Sequence, residues 1–275
     1  MLYELEQSDF SKVRALFEPL AYNLALGSIL AGKTPARVYV DDPAAPVAVF
    51  TGFKHRLFLA GSPQQADFNQ AVYQLLQGTI IPQAQAAGQQ AFILHTSAPE
   101  WEAQLEVILA GMSPLHGRRE YYACTRLNED WRRLLPPGFT LLPVTARLVA
   151  QAHLENLDAL REELCSERAS VEDFLEKSFG FCLVTGDELA GWCLSEYNQA
   201  GRCEVGVATV EKYQRRGLGT IVTLALVEHA LSRGYRHIGW HCWAKNKPSS
   251  ALALRAGFEF VRDYPVYLYM LREIM

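Results

Sequence analysis

The sequence predicts an α/β protein in which sheet strands carry helices on both faces. Three observations predict it. Short apolar, β-branched runs alternate with longer helix-patterned segments along the whole chain. That alternation is broken near the middle by Leu134-Leu135-Pro136-Pro137-Gly138, where neither a helix nor a strand can continue. The 275 residues, 49% of them hydrophobic, suffice for one large or two medium cores. The reading is a smaller N-terminal α/β domain over 1–134 and a second domain over 138–275.

The elements follow in order. Residues 8–31 read as helical, with Gly32 as the stop. Strands are expected at 37–42, 47–53 and 56–60, separated by Asp41-Asp42-Pro43 and by Lys54-His55. A helix over 66–87 is interrupted near Pro82, and Ala91-Phe92-Ile93-Leu94 reads as a buried strand. Pro99 starts a helix that runs to Ala110, Gly111 ends it, and 121–127 is the last strand of this half.

After the prolines come a strand at 139–145 and a helix at 147–160. A helix at 170–178 begins at Ser170 with Asp173 three residues on, a capping-box-like start. Strands are expected at 181–185, 189–197 and 202–210, then a helix at 218–232 ended by Gly234. A strand (237–243), a helix (248–256) and strands at 258–262 and 266–271 complete the chain. One internal echo is visible. Leu109-Ala110-Gly111-Met112, followed by Arg119 and Tyr121, matches Leu254-Arg255-Ala256-Gly257-Phe258, followed by Arg262 and Tyr264. It reads as a fold shared by the two halves, or as the coincidence of a common helix–glycine–strand pattern.

Composition narrows the partners. A net charge of −4 gives no basic bias toward nucleic acid or an anionic membrane. The six cysteines, at 124, 165, 182, 193, 203 and 242, form no CxxC pair and mostly sit in apolar strand-like runs. They read as reduced, buried thiols of a cytoplasmic protein, with no disulfide framework and no metal site. Met1-Leu2-Tyr3-Glu4-Leu5-Glu6 lacks the basic start of a signal peptide. No run of about 18 apolar residues predicts a membrane span.

The most informative segment is Gln214-Arg215-Arg216-Gly217-Leu218-Gly219-Thr220. It follows the run Val205, Val207, Thr209, Val210 and opens the helix at 218. Strand, glycine loop and helix N-terminus together suit a pyrophosphate, because free N–H groups and the helix dipole both favour an anion there. The same glycines also suit an ordinary tight turn. A dinucleotide fingerprint is excluded, since Gly219 is followed by Thr-Ile-Val with no third glycine. No Lys-Ser/Thr follows as in a Walker A loop.

The pattern Gln-x-x-Gly-x-Gly here resembles the Gln/Arg-x-x-Gly-x-Gly/Ala signature of the GNAT superfamily of N-acetyltransferases. Asn246 follows the next strand, and Gly257-Phe258 stands where the superfamily's Asn…Gly-Phe segment ends. This resemblance covers about 139–271. A narrower one joins Trp240-His241-Cys242-Trp243-Ala244-Lys245-Asn246-Lys247-Pro248-Ser249-Ser250, Ala253 and Gly257-Phe258 with Gly32-Lys33-Thr34-Pro35-Ala36-Arg37-Val38-Tyr39-Val40-Asp41-Asp42-Pro43. Both segments are similar to acetyltransferases related to zwittermicin A resistance proteins.

The resemblance implies a GNAT-like mixed, mostly antiparallel sheet in the C-terminal half. The first half then reads as a degenerate GNAT-like half, without a coenzyme A loop, or as an unrelated α/β domain. Its corresponding loop, Gly61-Ser62-Pro63-Gln64-Gln65, contains a proline and no Gly-x-Gly. The implied reaction moves an acetyl group from acetyl-CoA to a primary amine of a small molecule, cationic or antibiotic-like. A non-catalytic acyl-CoA-binding module is the alternative. An aminoacyl transferase using charged tRNA is a third reading, against which the missing basic stripe argues. The protein is expected to be a monomer or homodimer.

The site residues follow from the resemblance. Gln214 opens the loop, and backbone N–H groups of Arg215, Arg216, Gly217, Leu218, Gly219 and Thr220 would hold the pyrophosphate. Arg215 or Arg216 would add charge. The strand edge at Val207, Ala208 and Thr209 would pair with the pantetheine amides. Asn246, Ser249, Ser250 and Ala253 would border the same arm, although the serines suit helix capping after Pro248 equally well.

An amine with a pKa of about 10 needs a base at neutral pH. Glu204 is the candidate, on the strand face of Gly206 and Ala208, whose small side chains leave room; a surface carboxylate at a strand end is the other reading. The superfamily's general acid is a tyrosine seven residues after the Asn, where this chain has Ala253. Alternation could aim one of Tyr264, Tyr267 and Tyr269 inward, and Tyr267 is the choice. His241 is a second acid/base candidate or a core histidine. Residues 155–176 carry eight acids, Glu155, Asp158, Glu162, Glu163, Glu167, Glu172, Asp173 and Glu176, against Arg161 and Arg168. They read as an acidic mouth for a cationic amine or as a solvated helix face. Cys165 among them reads as packing.

Overall fold

The structure, a computed structural model, describes residues 1–271. The strands are β1 (Tyr3–Glu4), β2 (Val38–Val40), β3 (Ala48–Phe53), β4 (Arg56–Gly61), β5 (Ala91–Thr96), β6 (Leu115–Cys124), β7 (Thr140–Pro143), β8 (Gly180–Thr185), β9 (Glu188–Gln199), β10 (Arg202–Thr209), β11 (His237–Trp243) and β12 (Glu259–Met270). The helices are α1 (Leu24–Leu30), α2 (Ala66–Leu75), α3 (Ile81–Ala86), α4 (Glu102–Ile108), α5 (Ala146–Val149), α6 (Leu157–Leu164), α7 (Val171–Lys177), α8 (Leu218–Ser232) and α9 (Lys247–Arg255). They form two compact units. One is Met1–Gly117 with the chain from Pro265 onward, and the other is Arg118–Tyr264.

In the first unit β1 to β4 pair antiparallel in sequence order. β4 and β5 then pair in parallel, and β5 pairs antiparallel with Tyr267–Met270 at the end of β12. The predicted helix at 8–31 is divided into 3-10 segments at Gln7–Val13 and Glu18–Leu20, followed by α1. Pro19 near the start of the second segment cannot donate to a preceding turn. Pro82 lies in the first turn of α3, where the missing N–H is tolerated, and a π-helical turn at Leu76–Ile80 joins α2 to α3.

The second unit repeats this plan. β7 to β10 pair antiparallel in order, β10 and β11 pair in parallel, and β11 pairs antiparallel with β6. Each unit therefore has four antiparallel strands, a parallel step through helix, and a sixth strand that comes from the other half of the chain. That exchange sets the unit boundaries. β6 belongs with β11, and β12 continues past Tyr264 to reach β5. Pro136-Pro137-Gly138 is a turn inside the second unit, between the 3-10 turn Trp131–Arg133 and β7. The internal echo marks matching places in the two halves, a helix stopped by glycine before the exchanged strand.

Alternation along the strands of the second unit builds two cores. Cys193, Cys203, Val205, Ile238 and Trp240 face α8 and α9. Cys182, Val184, Trp192 and Leu194 face the opposite way, toward α5, α6 and α7. α8 is buried over most of its circumference, as expected of a helix that is apolar all round. Five of the six free cysteines are buried, and burial pushes the Cys182 and Cys193 thiols up to about 12. Among the described residues no helix is long and apolar enough to cross a membrane.

Tyr267 belongs to the core of the first unit. It is buried with Leu94, Phe92 and Leu271, and its ring meets the edge of His116 at 4.9 Å. Tyr267→Ala is expected to cost about 3–5 kcal/mol, measured as a lower denaturant midpoint for the transition of this unit. A change below about 1 kcal/mol would contradict so central a packing role.

Candidate active site

The site of the second unit grows out of the parallel step between β10 and β11. Register pairs Arg202–Val205 with His237–Trp240 and goes no further. β10 stays paired with β9 as far as Thr209↔Gly191. Gly206 to Thr209 thus lie beyond the register with β11 while their other edge is held. The register with β9 shifts between Glu204 and Val205, which face Tyr197 and Ser195. Glu196 is the extra residue of that bulge, a device that re-aims side chains.

β10 leads through the 3-10 turn Glu211–Tyr213 into the glycine loop. Glu188 anchors that turn. Tyr213 donates to its Oε2 (2.7 Å) and Lys212 pairs with its Oε1 (2.6 Å), and both contacts draw the carboxyl below its usual range. Gln214 Nε2 donates to the Thr209 carbonyl at 3.1 Å. Gln214, Arg215, Arg216 and Gly217 are exposed, and Leu218, Gly219 and Thr220 are buried. Arg215 and Gly217 both have positive φ, 61° and 78°, and Gly217 is the N-cap of α8. The first N–H groups of α8 have no acceptor within the helix. Gly219 lets α8 approach α9, since a Cβ there would stand 2.5 Å from Leu252 Cδ1.

On the far side, Asn246 caps α9 by accepting from Ser249 N–H at 3.2 Å. Ser249 Oγ accepts from Trp240 Nε1 at 3.2 Å, and Ser250 Oγ donates to Glu120 Oε2 at 2.8 Å. Ala253 is fully buried in the core. Val207 packs against that same core and Ala208 against the opposite one.

Glu204 is 1% exposed. Its Oε1 accepts from His241 Nε2 at 3.2 Å, and His241 Nδ1 is 2.8 Å from the Tyr264 hydroxyl. Tyr121 stacks on the imidazole, 4.5 Å between centroids, and its hydroxyl is 2.7 Å from His237 Nε2. Gly239, opposite Glu204 in the register, makes this possible. A Cβ there would lie 2.9 Å from Tyr121 Cε2 and 3.2 Å from Glu204 Cγ. Burial, followed by the Glu204 charge, pushes the Tyr121 phenol up. Burial and then Arg202 push His237 down, against the Glu204 charge.

Sequence reasoning singled out Glu204 and weighed His241 and Tyr264. Tyr264, rather than Tyr267, is the tyrosine bonded to His241, while Tyr267 lies in the first unit. Tyr121, which stacks on His241, was not singled out in the sequence, although the echo pairs it with Tyr264.

The acidic segment divides. Glu155, Asp158, Glu162, Glu172 and Glu176 are exposed. Glu167 and Arg168 are buried. Tyr197 donates to Glu167 Oε2 at 2.9 Å, and Arg168 Nε donates to Ser178 Oγ at 3.0 Å. Glu163, Glu167, Arg168, Glu196 and Gly206 line a cavity of about 10 Å³, the room of one water. Burial, aided by Glu167, raises the Glu163 carboxyl.

The first unit has the same strands but different chemistry. Its parallel step runs Arg56–Leu59 with Ile93–Thr96, and Ser97 N–H extends it to the Leu59 carbonyl at 2.9 Å. Phe58 and His95 occupy the register positions of Glu204 and Gly239 and stack on each other at 5.0 Å. Pro63 lies in the loop before α2, and its carbonyl accepts from Asn69 Nδ2 at 2.8 Å.

Comparison with known proteins agrees with this geometry. The sequence model of the family described as GNAT acetyltransferase matches residues 14–267. The chain is 26% identical over 269 residues to an uncharacterized N-acetyltransferase, YdfB, of Bacillus subtilis (strain 168), covering 97% of this chain and 98% of that protein. A GCN5-related N-acetyltransferase-like protein from Streptococcus suis 89/1591 has a similar structure, with a TM-score of 0.71 at 22% identity over 95% of this chain and 98% of that one. A GCN5-related N-acetyltransferase from Sphaerobacter thermophilus superposes with a TM-score of 0.64 at 14% identity, covering 100% and 96%. A family match that spans both units, on a fold shared with these acetyltransferases, means that the chain belongs to the GNAT acetyltransferase family.

Proposed function

We propose that this chain is an acetyl-CoA-dependent N-acetyltransferase that acylates a primary amine of a small molecule. One observation carries the reading. The parallel β10–β11 register stops after Val205–Trp240, beside Glu204 and His241, and β10 leads from there to a glycine-capped helix N-terminus. The residues present fit coenzyme A. The backbone of Val207, Ala208 and Thr209 offers an edge for an amide-bearing arm. Arg215, Arg216 and Gly217 are exposed, and a Cβ at Gly217 would meet nothing within 4 Å. The first-turn N–H groups of Leu218, Gly219 and Thr220 suit a pyrophosphate. Asn246 and Ser249 lie at the N-terminus of α9, where Ser249 bonds Trp240 of β11.

When bound, acetyl-CoA supplies an acyl group activated as a thioester. The chain's own residues position it and manage one proton. Glu204 takes the proton of the attacking ammonium, so that the nitrogen lone pair can reach the carbonyl carbon. The exposed acids of 155–176 favour a cationic acceptor by their field. The likeness of Trp240–Ser250 to acetyltransferases related to zwittermicin A resistance supports an antibiotic-like amine. Buried, free cysteines support a cytoplasmic setting.

Calorimetric titration with acetyl-CoA, followed by thiol release over a panel of amines, tests the reading. Saturable binding and turnover with at least one amine are expected. Binding without turnover across the panel would favour an acyl-CoA-binding module. No binding would overturn the proposal.

A further inference from the structure

Three buried side chains from three strands form one line that starts at the proposed base. Glu204 comes from β10, His241 from β11 and Tyr264 from β12, at 3.2 Å and 2.8 Å. All are nearly excluded from water: Glu204 is 1% exposed, Tyr264 2%, and the His241 side chain 4%. A carboxylate oxygen can only accept, so Nε2 carries the proton of the first bond. A neutral imidazole protonated at Nε2 has an acceptor at Nδ1, and the Tyr264 hydroxyl then donates to it. The chain of donors points one way, from Tyr264 to His241 to Glu204. Tyr121 stacked on the imidazole fixes its plane.

We propose that His241 and Tyr264 are positioning residues that hold Glu204 ionised and correctly turned for taking the acceptor's proton. This rests on the reading of Glu204 as the base. In the step, an N–H bond of the ammonium breaks and an O–H bond forms on the Glu204 carboxyl; the nitrogen lone pair then attacks the thioester carbonyl carbon, a C–N bond forms, and the C–S bond breaks with coenzyme A leaving as the thiolate, which takes up the second proton the nitrogen loses as it becomes an amide. His241 and Tyr264 keep their own protons throughout. Other groups face the imidazole. Tyr121 lies on β6, with His237 and Arg202 in contact with it, and Arg119 donates to the His241 carbonyl at 3.3 Å. The role explains a buried histidine and a buried tyrosine beside a carboxylate, which core packing alone would replace by apolar residues.

The test uses the full chain and two variants that keep an aromatic ring, Tyr264→Phe and His241→Phe. Losing a donor to a buried carboxylate favours its protonated form. In His241→Phe the acidic limb of the kcat/KM profile is therefore expected to move upward by about one pH unit or more. The KM for acetyl-CoA is expected to stay within about two-fold. Tyr264→Phe is expected to move the limb in the same direction by less. Nitrogen-15 NMR of His241 is expected to show Nε2–H and an unprotonated Nδ1 in the wild type.

A packing role alone would lower stability and leave the limb unmoved, which would overturn the proposal, as would Nδ1–H in the wild type. If the wild type turns over no amine, the catalytic reading fails by itself. Carbon-13 titration of the Glu204 carboxyl still decides the positioning role, because it must titrate higher in His241→Phe than in the wild type.

Discussion

Glu204→Gln is expected to lower kcat/KM at pH 7 by about 10²-fold or more while leaving acetyl-CoA affinity in place. The substitution keeps the size of the side chain, and its amide oxygen can still accept from His241 Nε2, 3.2 Å away in the wild type. The fold is therefore expected to be preserved, with only the proposed proton acceptor lost. Removing a charge that is 1% exposed also removes a desolvation cost, so stability should stay within about 1 kcal/mol of wild type. The rate loss should shrink as pH approaches the amine's own pKa of about 10, because more of the amine is then already neutral. A variant with an unchanged rate at pH 7 would remove Glu204 from the mechanism and leave the coenzyme A loop untouched.

Much of this was legible in local pattern. The apolar run after the glycine loop predicts a helix at 218–232, and α8 occupies Leu218–Ser232. The strand at 237–243 coincides with β11. Both elements are long, apolar and bounded by glycine or charge, so local chemistry decides them. The helix expected at 8–31 failed because the 3.6-residue period there is carried by short apolar clusters on either side of Pro19 and Asn23. The strand exchange was invisible, because a strand's pattern fixes which face is buried and says nothing of which strand lies beside it.

The tyrosine illustrates the same limit. Expected strands at 258–262 and 266–271 separate Tyr264 from any sheet, yet β12 is continuous through Pro265. Tyr264 thereby reaches His241, and Tyr267, of opposite parity, enters the core of the first unit. The signal that could have found the site was the internal echo. It pairs Tyr121 with Tyr264, and these are the two tyrosines that meet the His241 ring. Glu204 stood out in the sequence because Gly206 and Ala208 beside it are small, and Phe58 takes the same register position in the first unit.

Gly219→Asp is the sharper test of the loop, with an expected loss of about 10²-fold or more in acetyl-CoA affinity, since opposed like charges cost several kcal/mol and each 1.4 kcal/mol is tenfold. The structure separates that effect from packing. Any Cβ at 219 meets Leu252 Cδ1, 2.5 Å away before relaxation. Gly219→Ala carries that Cβ clash, about 1–3 kcal/mol, without the charge. Position 219 is buried, so the larger, charged aspartate costs more stability than alanine, and a helix-dipole gain of about 0.3–1 kcal/mol offsets only part of that. In folded protein, aspartate is expected to bind acetyl-CoA more weakly than alanine, and raising the salt concentration should narrow the gap in affinity. Equal losses of affinity in both variants would assign Gly219 to helix packing alone and sink the pyrophosphate reading of the loop.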